Sequence, residues 1–200
     1  MSEFLEKLKH KVWRTKGCRF NANRRILRKQ SIVTFVTTFS SIHLLAISVL
    51  QLTNTFGIST DNSSYLSYVS IILAIIILSY GLHEGGKNYG LQAEKHHSCA
   101  LEIDQFYNKI LSLESNVNEK KLSKKYASLL EKYSFNHLPI DDKYFQTQHP
   151  KDFGFDDFLG FFKKQLIIFQ YKIFDVLFAI LFSFLPVMLT FLILVCDFNY

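Results

Sequence analysis

Between Tyr133 and Phe145 the chain reads YSFNHLPIDDKYF, its densest collection of groups able to do chemistry. His137 stands shortly before Asp141 and Asp142, so an imidazole general base oriented by a carboxylate is conceivable here. A nucleophile is missing: Ser134 precedes His137, but without the strand–turn–helix elbow that presents a catalytic serine. The favoured reading is structural. Asn136 and Asp141 would bond loop backbone and close a helical hairpin, with Tyr133, Phe135 and Tyr144 packing beneath. Catalysis and ligand sensing are the alternatives, and no enzyme is expected.

Three further groupings bear on function. Gly81 to Asn88, GLHEGGKN, satisfies the GxxxxGK part of a phosphate-binding loop, yet Asn88 stands where a magnesium-holding hydroxyl belongs and no short buried strand precedes it. Close helix packing through Gly81, Gly85, Gly86 and Gly90 explains the glycines better. His96, His97 and Cys99 are neighbours, but adjacent histidines on a helix point about 100° apart and no second ligand pair is spaced to join them. No metal and no cofactor is expected. Cys18, Cys99 and Cys196 are far apart and form no CxxC, so they define no disulfide framework. The basic stretch before Lys29, with Phe20 among arginines, could contact nucleic-acid phosphates. Beside a hydrophobic run, orientation and attraction to anionic membrane lipids is the preferred role, and direct nucleic-acid binding is not expected.

The elements that must position these residues are set by three apolar runs in a chain of 200 residues, 48% of them hydrophobic. Ile32 to Leu50 and Tyr65 to Leu82 carry no formal charge, and Val176 to Cys196 is interrupted only by Pro186. Each approaches the roughly 20 apolar residues that cross a bilayer core, and a proline is tolerated within a membrane helix at the cost of a kink. Lysine and arginine crowd the segment before the first run and the segment from His83 to Lys172, whereas the loop TNTFGISTDNSS has neither. The net charge of +6 is therefore a topology signal. The expected organisation is a basic cytoplasmic arm (1–30), a first span (31–52), an external loop (53–64), a second span (65–82), a cytoplasmic helical module (83–165), a membrane-proximal segment with a third span (166–197) and an external tail (198–200). That makes an all-α membrane protein: a transmembrane hairpin, a cytoplasmic helical hairpin and a C-terminal third span.

Within the module, Cys99, Ile103, Phe106, Ile110 and Leu113 recur at four- and three-residue steps, as do Leu122, Tyr126, Leu129 and Tyr133. Two amphipathic helices packed on each other follow. Further on, Phe153, Phe155, Phe158, Phe161 and Phe162 alternate with acids and lead into two lysines, a pattern suited to the headgroup region. In the first span Thr34, Thr37, Thr38, Ser41 and Ser48 fall within an arc of roughly 100°. They are candidate pore-lining residues, with simple helix packing as the competing explanation.

In order, VWRTKGCRFNANRR, two spans, AEKHHSCALEI, KKYASLLEKY and NHLPIDDKY resemble the SLATT family, the two-transmembrane effector domains of bacterial conflict systems. The resemblance reaches Tyr144, and the third span departs from the simplest two-helix pattern. It implies a membrane effector at the inner membrane that assembles into a homo-oligomeric pore when a phage sensor fires, causing growth arrest or cell death. The implied partner is a nucleotide-second-messenger synthase, a sensor or a reverse transcriptase. Trp13, Thr15, Arg19, Arg25, Asn136, His137, Asp142 and Tyr144 would be its motif positions. Three spans cannot enclose a water channel alone, which also calls for oligomers. The rival function is a non-conducting scaffold docking a cytoplasmic enzyme, and a weaker third is a membrane hydrolase using His137.

Overall fold

The computed structural model describes residues 3–53, 59–113, 118–133, 135–155 and 157–198, and all its regular structure is α-helical. Among the described residues eight helices follow in order: α1 (Glu3–Thr53), α2 (Thr60–Gly85), α3 (Tyr89–Leu111), α4 (Glu119–Glu131), α5 (Pro139–Gln148), α6 (Pro150–Phe153), α7 (Phe158–Lys172) and α8 (Phe174–Phe198). Three of the described helical stretches are long and apolar enough to cross a membrane. The protein is thus an all-α membrane protein. The expected external loop falls partly, and Ser134 wholly, outside the described residues, as do the side chain of Cys196 and the last two residues.

Local sequence explains where helices begin. Asn118 caps α4 by accepting from the Lys121 backbone N–H, and Asp157 caps α7 by accepting from Gly160, satisfying donors that a helix start leaves orphaned. Pro139 opens α5, and the Asp141 carboxylate accepts from Leu138 N at 2.9 Å. The stretch around Pro139, read as a loop from sequence, is therefore a helix start: proline at the first position has no donor to lose. Between α2 and α3 the glycine-rich junction breaks the helix at Gly86 to Asn88, where Asn88 takes a left-handed φ of 49°.

The chain divides into two compact units, one formed by residues 1–28 and 89–173, the other by residues 29–88 and 174–200. In the first, Leu5, Leu8 and Val12 of α1 join Cys99, Ile103, Phe106 and Ile110 of α3 and Leu122 and Tyr126 of α4 in one core. The helical periodicity of α3 and α4 is the one visible in the sequence. What differs is the arm. Residues 3–28, expected as a basic appendage before the membrane, are the start of a 51-residue helix and the third wall of this core. α5 packs against α7, where the rings of Tyr144 and Tyr171 stack with centroids 3.8 Å apart.

In the second unit the buried positions include Val36, Ser40 and Ile47 on α1, Leu66, Leu73, Ile77 and Glu84 on α2, and Ala179, Ser183, Pro186 and Thr190 on α8. Their spacing in steps of three, four and seven residues is that of helices meshing along a narrow seam. Most large apolar side chains outside the seam, such as Ile42, Leu45, Ile71, Ile75 and Leu181, are exposed, as befits helices whose outer faces meet lipid tails.

Candidate functional site

The α1 segment of the first unit carries two stripes at helical spacing. Leu5, Leu8, Val12, Thr15 and Arg19 face α3 and α4, and the hydroxyl of Tyr126 donates to Thr15 Oγ1 at 2.8 Å. Arg14, Cys18, Asn21, Arg25 and Arg28 face α5 and α7. Arg14 holds Asp142 with two bonds of 2.6 Å, and Arg25 holds Asp141 with bonds of 2.8 and 3.0 Å. Asn21 donates to the Asp141 carbonyl and to Gln148 Oε1, and Arg28 donates to the Tyr171 carbonyl at 2.5 Å. Lys16 adds an ion pair with Asp104 of α3 at 2.8 Å. The bases expected to address lipid are in large part turned to protein acceptors: α5 supplies Arg14 and Arg25 with carboxylates in the fork geometry a guanidinium matches, and α3 and α7 supply acceptors for Lys16 and Arg28.

Of the motif positions, Arg25 and Asp142 belong to this seam, and Thr15 and Arg19 to the other stripe. Trp13 packs edge-on against Phe145 and His149, and Tyr144 stacks on Tyr171. Asn136 Oδ1 accepts the backbone N–H of His137 at 3.0 Å. Asp141, fully buried, is the most enclosed acid of the site; in the sequence it reads as a bond to loop backbone or as a carboxylate orienting His137, not as the partner of Arg25. Gly17, Asn21, Phe145 and Tyr171 were missed. For Arg14, Asn21 and Arg28 a signal existed: with Cys18 and Arg25 they repeat every three or four residues along one helix face.

His137 is not held by either aspartate. Its Nδ1 is buried with no hydrogen-bond partner among the described residues, and burial, reinforced by the nearby Arg19 charge, lowers its pKa. Both aspartates are committed to arginines, so the dyad that general-base chemistry needs is not assembled. The Arg14 hydrogen bonds hold the Asp142 carboxyl below its ordinary range. Burial and then Asp142 push the Cys18 thiol up, keeping it protonated and a poor nucleophile. His10, Lys11, Arg14, Thr15, Cys18, His137, Pro139 and Asp142 line an open cleft of about 430 Å³. His96 and His97 diverge: the first is buried beside Arg19, the second lies edge-on to Phe20.

In the second unit Thr34, Thr38, Ser41 and Ser48 are exposed and Thr37 is half-buried. Thr34, Thr37 and Ser48 donate to carbonyls of the preceding turn, whereas Thr38 and Ser41 make no hydrogen bond among the described residues. A different set lines the interior. Ser40, Ser70 and Ser183 have enclosed hydroxyls without partners among the described residues, and His43 Nε2 lies 3.5 Å from Thr190 Oγ1. Of the glycines, Gly81 faces Thr37 Cγ2 at 3.5 Å, Gly85 faces open space and Gly86 meets only carbonyls of its own preceding turn. Gly90 lies in α3.

These features define a multi-pass helical membrane protein whose first helix contributes both to a membrane-type seam and to a charged, polar unit. The match of residues 1–192 to the model of the SMODS and SLOG-associating 2TM effector domain family 5 places it more closely: the chain belongs to that SLATT family. The match runs past Tyr144, where the sequence resemblance was expected to end, and takes in most of α8. No curated protein and no solved structure matches the chain. Membership makes it a membrane effector domain of the kind associated with conflict systems, and this is not a known enzyme family.

Proposed function

We propose that the protein is a defence effector of the inner membrane that oligomerises into a pore when a partner signals infection, stopping growth or killing the cell. The observation that carries this is the hydroxyl face of α1. Thr38 and Ser41 are exposed on a membrane-length segment, and neither is satisfied by its own backbone. Lipid offers such groups nothing, whereas water or a neighbouring copy would. A ring of these faces would give a hydrated wall without fixed charge. The family's association with SMODS and SLOG proteins supports a cytoplasmic partner of nucleotide-messenger or sensor type. Because α1 is also the element that carries Arg14 and Arg25, which hold Asp142 and Asp141 of α5, it is the natural route from a docking event to the span.

The test replaces Thr38 by leucine and Ser41 by valine together. The variant should insert at normal level, give the same cross-linked oligomer and fail to depolarise cells when the partner is triggered. Undiminished depolarisation would place the pathway elsewhere, and loss of the oligomer would make these hydroxyls packing contacts. A wild-type protein that oligomerises with its partner but never depolarises would be the scaffold instead.

A further inference from the structure

Arg19 is only 4% exposed, yet none of the described acids forms an ion pair with it. Its Nη1 donates to the Phe135 carbonyl and lies 3.4 Å from His96 Nδ1, and its Nε is buried without a partner among the described residues. His96 brings no negative charge. Burial, then the neighbouring Arg19, lowers its pKa to about 4, so it is a neutral ring at physiological pH. The nearby acids are engaged elsewhere: Asp141 by Arg25, Asp142 by Arg14, and Glu102 by Lys132 and the Tyr133 hydroxyl. A buried cation facing neutral groups is costly, and proteins meet that cost with a counter-charge.

The surroundings show where such a charge would sit. Arg19, Lys95, His96, Lys132, Tyr133 and Phe135 line a cavity of about 190 Å³. Lys95 Nζ stands 4.9 Å from the Phe135 ring centroid, and Lys132 Nζ 5.4 Å from that of Tyr133. At about 30 Å³ per water in the liquid, the volume is that of a handful of waters, enough for a tetrahedral oxyanion with a small substituent. Arg19, a guanidinium with an unused N–H, and Lys95, with Lys132 at the rim already paired to Glu102, form a donor set suited to phosphate oxygens.

We propose that this cavity is a phosphate-binding site, taking inorganic phosphate or a phosphomonoester with Arg19 as the buried anchor and Lys95 and Lys132 at the mouth. The site lies apart from the Arg14–Asp142 cleft and does not depend on pore formation. Bound phosphate would supply the counter-charge for Arg19 and accept from its Nε.

The experiment follows thermal unfolding of the full chain in a neutral detergent as inorganic phosphate or glycerol phosphate is raised against chloride at constant ionic strength. A parallel arm compares nanodiscs with and without phosphatidic acid. A saturable rise in melting temperature is expected in wild type. Lys95→Ala, an exposed position that should fold normally, should weaken the apparent affinity on the order of tenfold, as loss of one charge-assisted contact does. Lys95→Arg should restore it, and Arg19→Gln should abolish the response. A response to soluble phosphates identifies a small ligand, and a response to phosphatidic acid alone identifies a lipid headgroup at the same site. No saturable response in either arm, or one that Lys95→Ala and Arg19→Gln retain unchanged, would overturn the proposal and leave the site to an acidic protein segment.

Discussion

Asp142 accepts from Arg14, Cys18 and Gln146, and Asp141 from Arg25 and Leu138 N, so these two adjacent carboxylates join α1 to α5. Their contribution depends on charge, and the sign follows from linkage. The Asp142 pKa is depressed in the folded protein, so its stabilisation is present above the unfolded carboxylate pKa and is lost as pH falls through the folded one. The His96 pKa is lowered from an ordinary 6.5 to about 4, so the unfolded chain binds the proton first and stability declines as pH drops across that window. Both effects make the unit acid-labile, the histidine first. Melting temperatures recorded from pH 7 to 4 should fall steadily, and His96→Gln should flatten the upper part of that slope. Asp142→Asn should lower stability at pH 7 by about 1–2 kcal/mol, between the values for exposed and buried pairs. A profile unchanged by His96→Gln would remove that residue from the account.

At the scale of helices, the approach of α5 to α1 rests on one missing side chain. A Cβ at Gly17 would collide with the ring of Phe145, which also packs edge-on against Trp13 at 4.7 Å between centroids. Gly17→Ala should therefore cost about 1–3 kcal/mol, the range for overpacking a well-filled core, despite alanine's better helix propensity. Phe145→Leu in the same chain should recover part of that loss, because it removes the ring the methyl meets. A double-mutant cycle by denaturant unfolding in detergent checks it. Additive losses would show that the two positions are not in contact. α7 is instructive in another way: Phe158, Leu159, Phe162 and Leu166 are exposed beside Lys163, the pattern of a helix lying at a headgroup surface.

For the whole molecule, the proposed orientation rests on where the bases are. Arg14, Lys16, Arg25 and Arg28 lie in the same unit as Lys95, Lys132, Lys163 and Lys172, so a single compartment must contain them all. On the positive-inside tendency, the compartment we propose is the cytoplasm. Reporter fusions should then report a cytoplasmic side after Leu27 and an external side after Tyr200. A reporter active outside after Leu27, or inside after Tyr200, would reverse this topology.

The sequence by itself determined the helical class, the three apolar runs, the seam of α3 with α4 and the family resemblance, because each is written in local periodicity or in contiguous motifs. Tertiary structure decided what those elements face. Nothing local states that Arg14 and Arg25 meet Asp142 and Asp141, since the pairs are joined only when α5 returns to α1 over more than a hundred residues. A positively charged helix reads the same whether its bases meet lipid or carboxylates. Nor could the spans reveal their inner face. In water a buried stripe stands out against polar surroundings, but a membrane helix is apolar all round, so Ser40 and Ser183 turned inward and Thr38 and Ser41 turned outward are indistinguishable until the helices pack. Gly17 is the same lesson at one atom: its role is defined by the Phe145 ring, and no neighbour in the chain announces it.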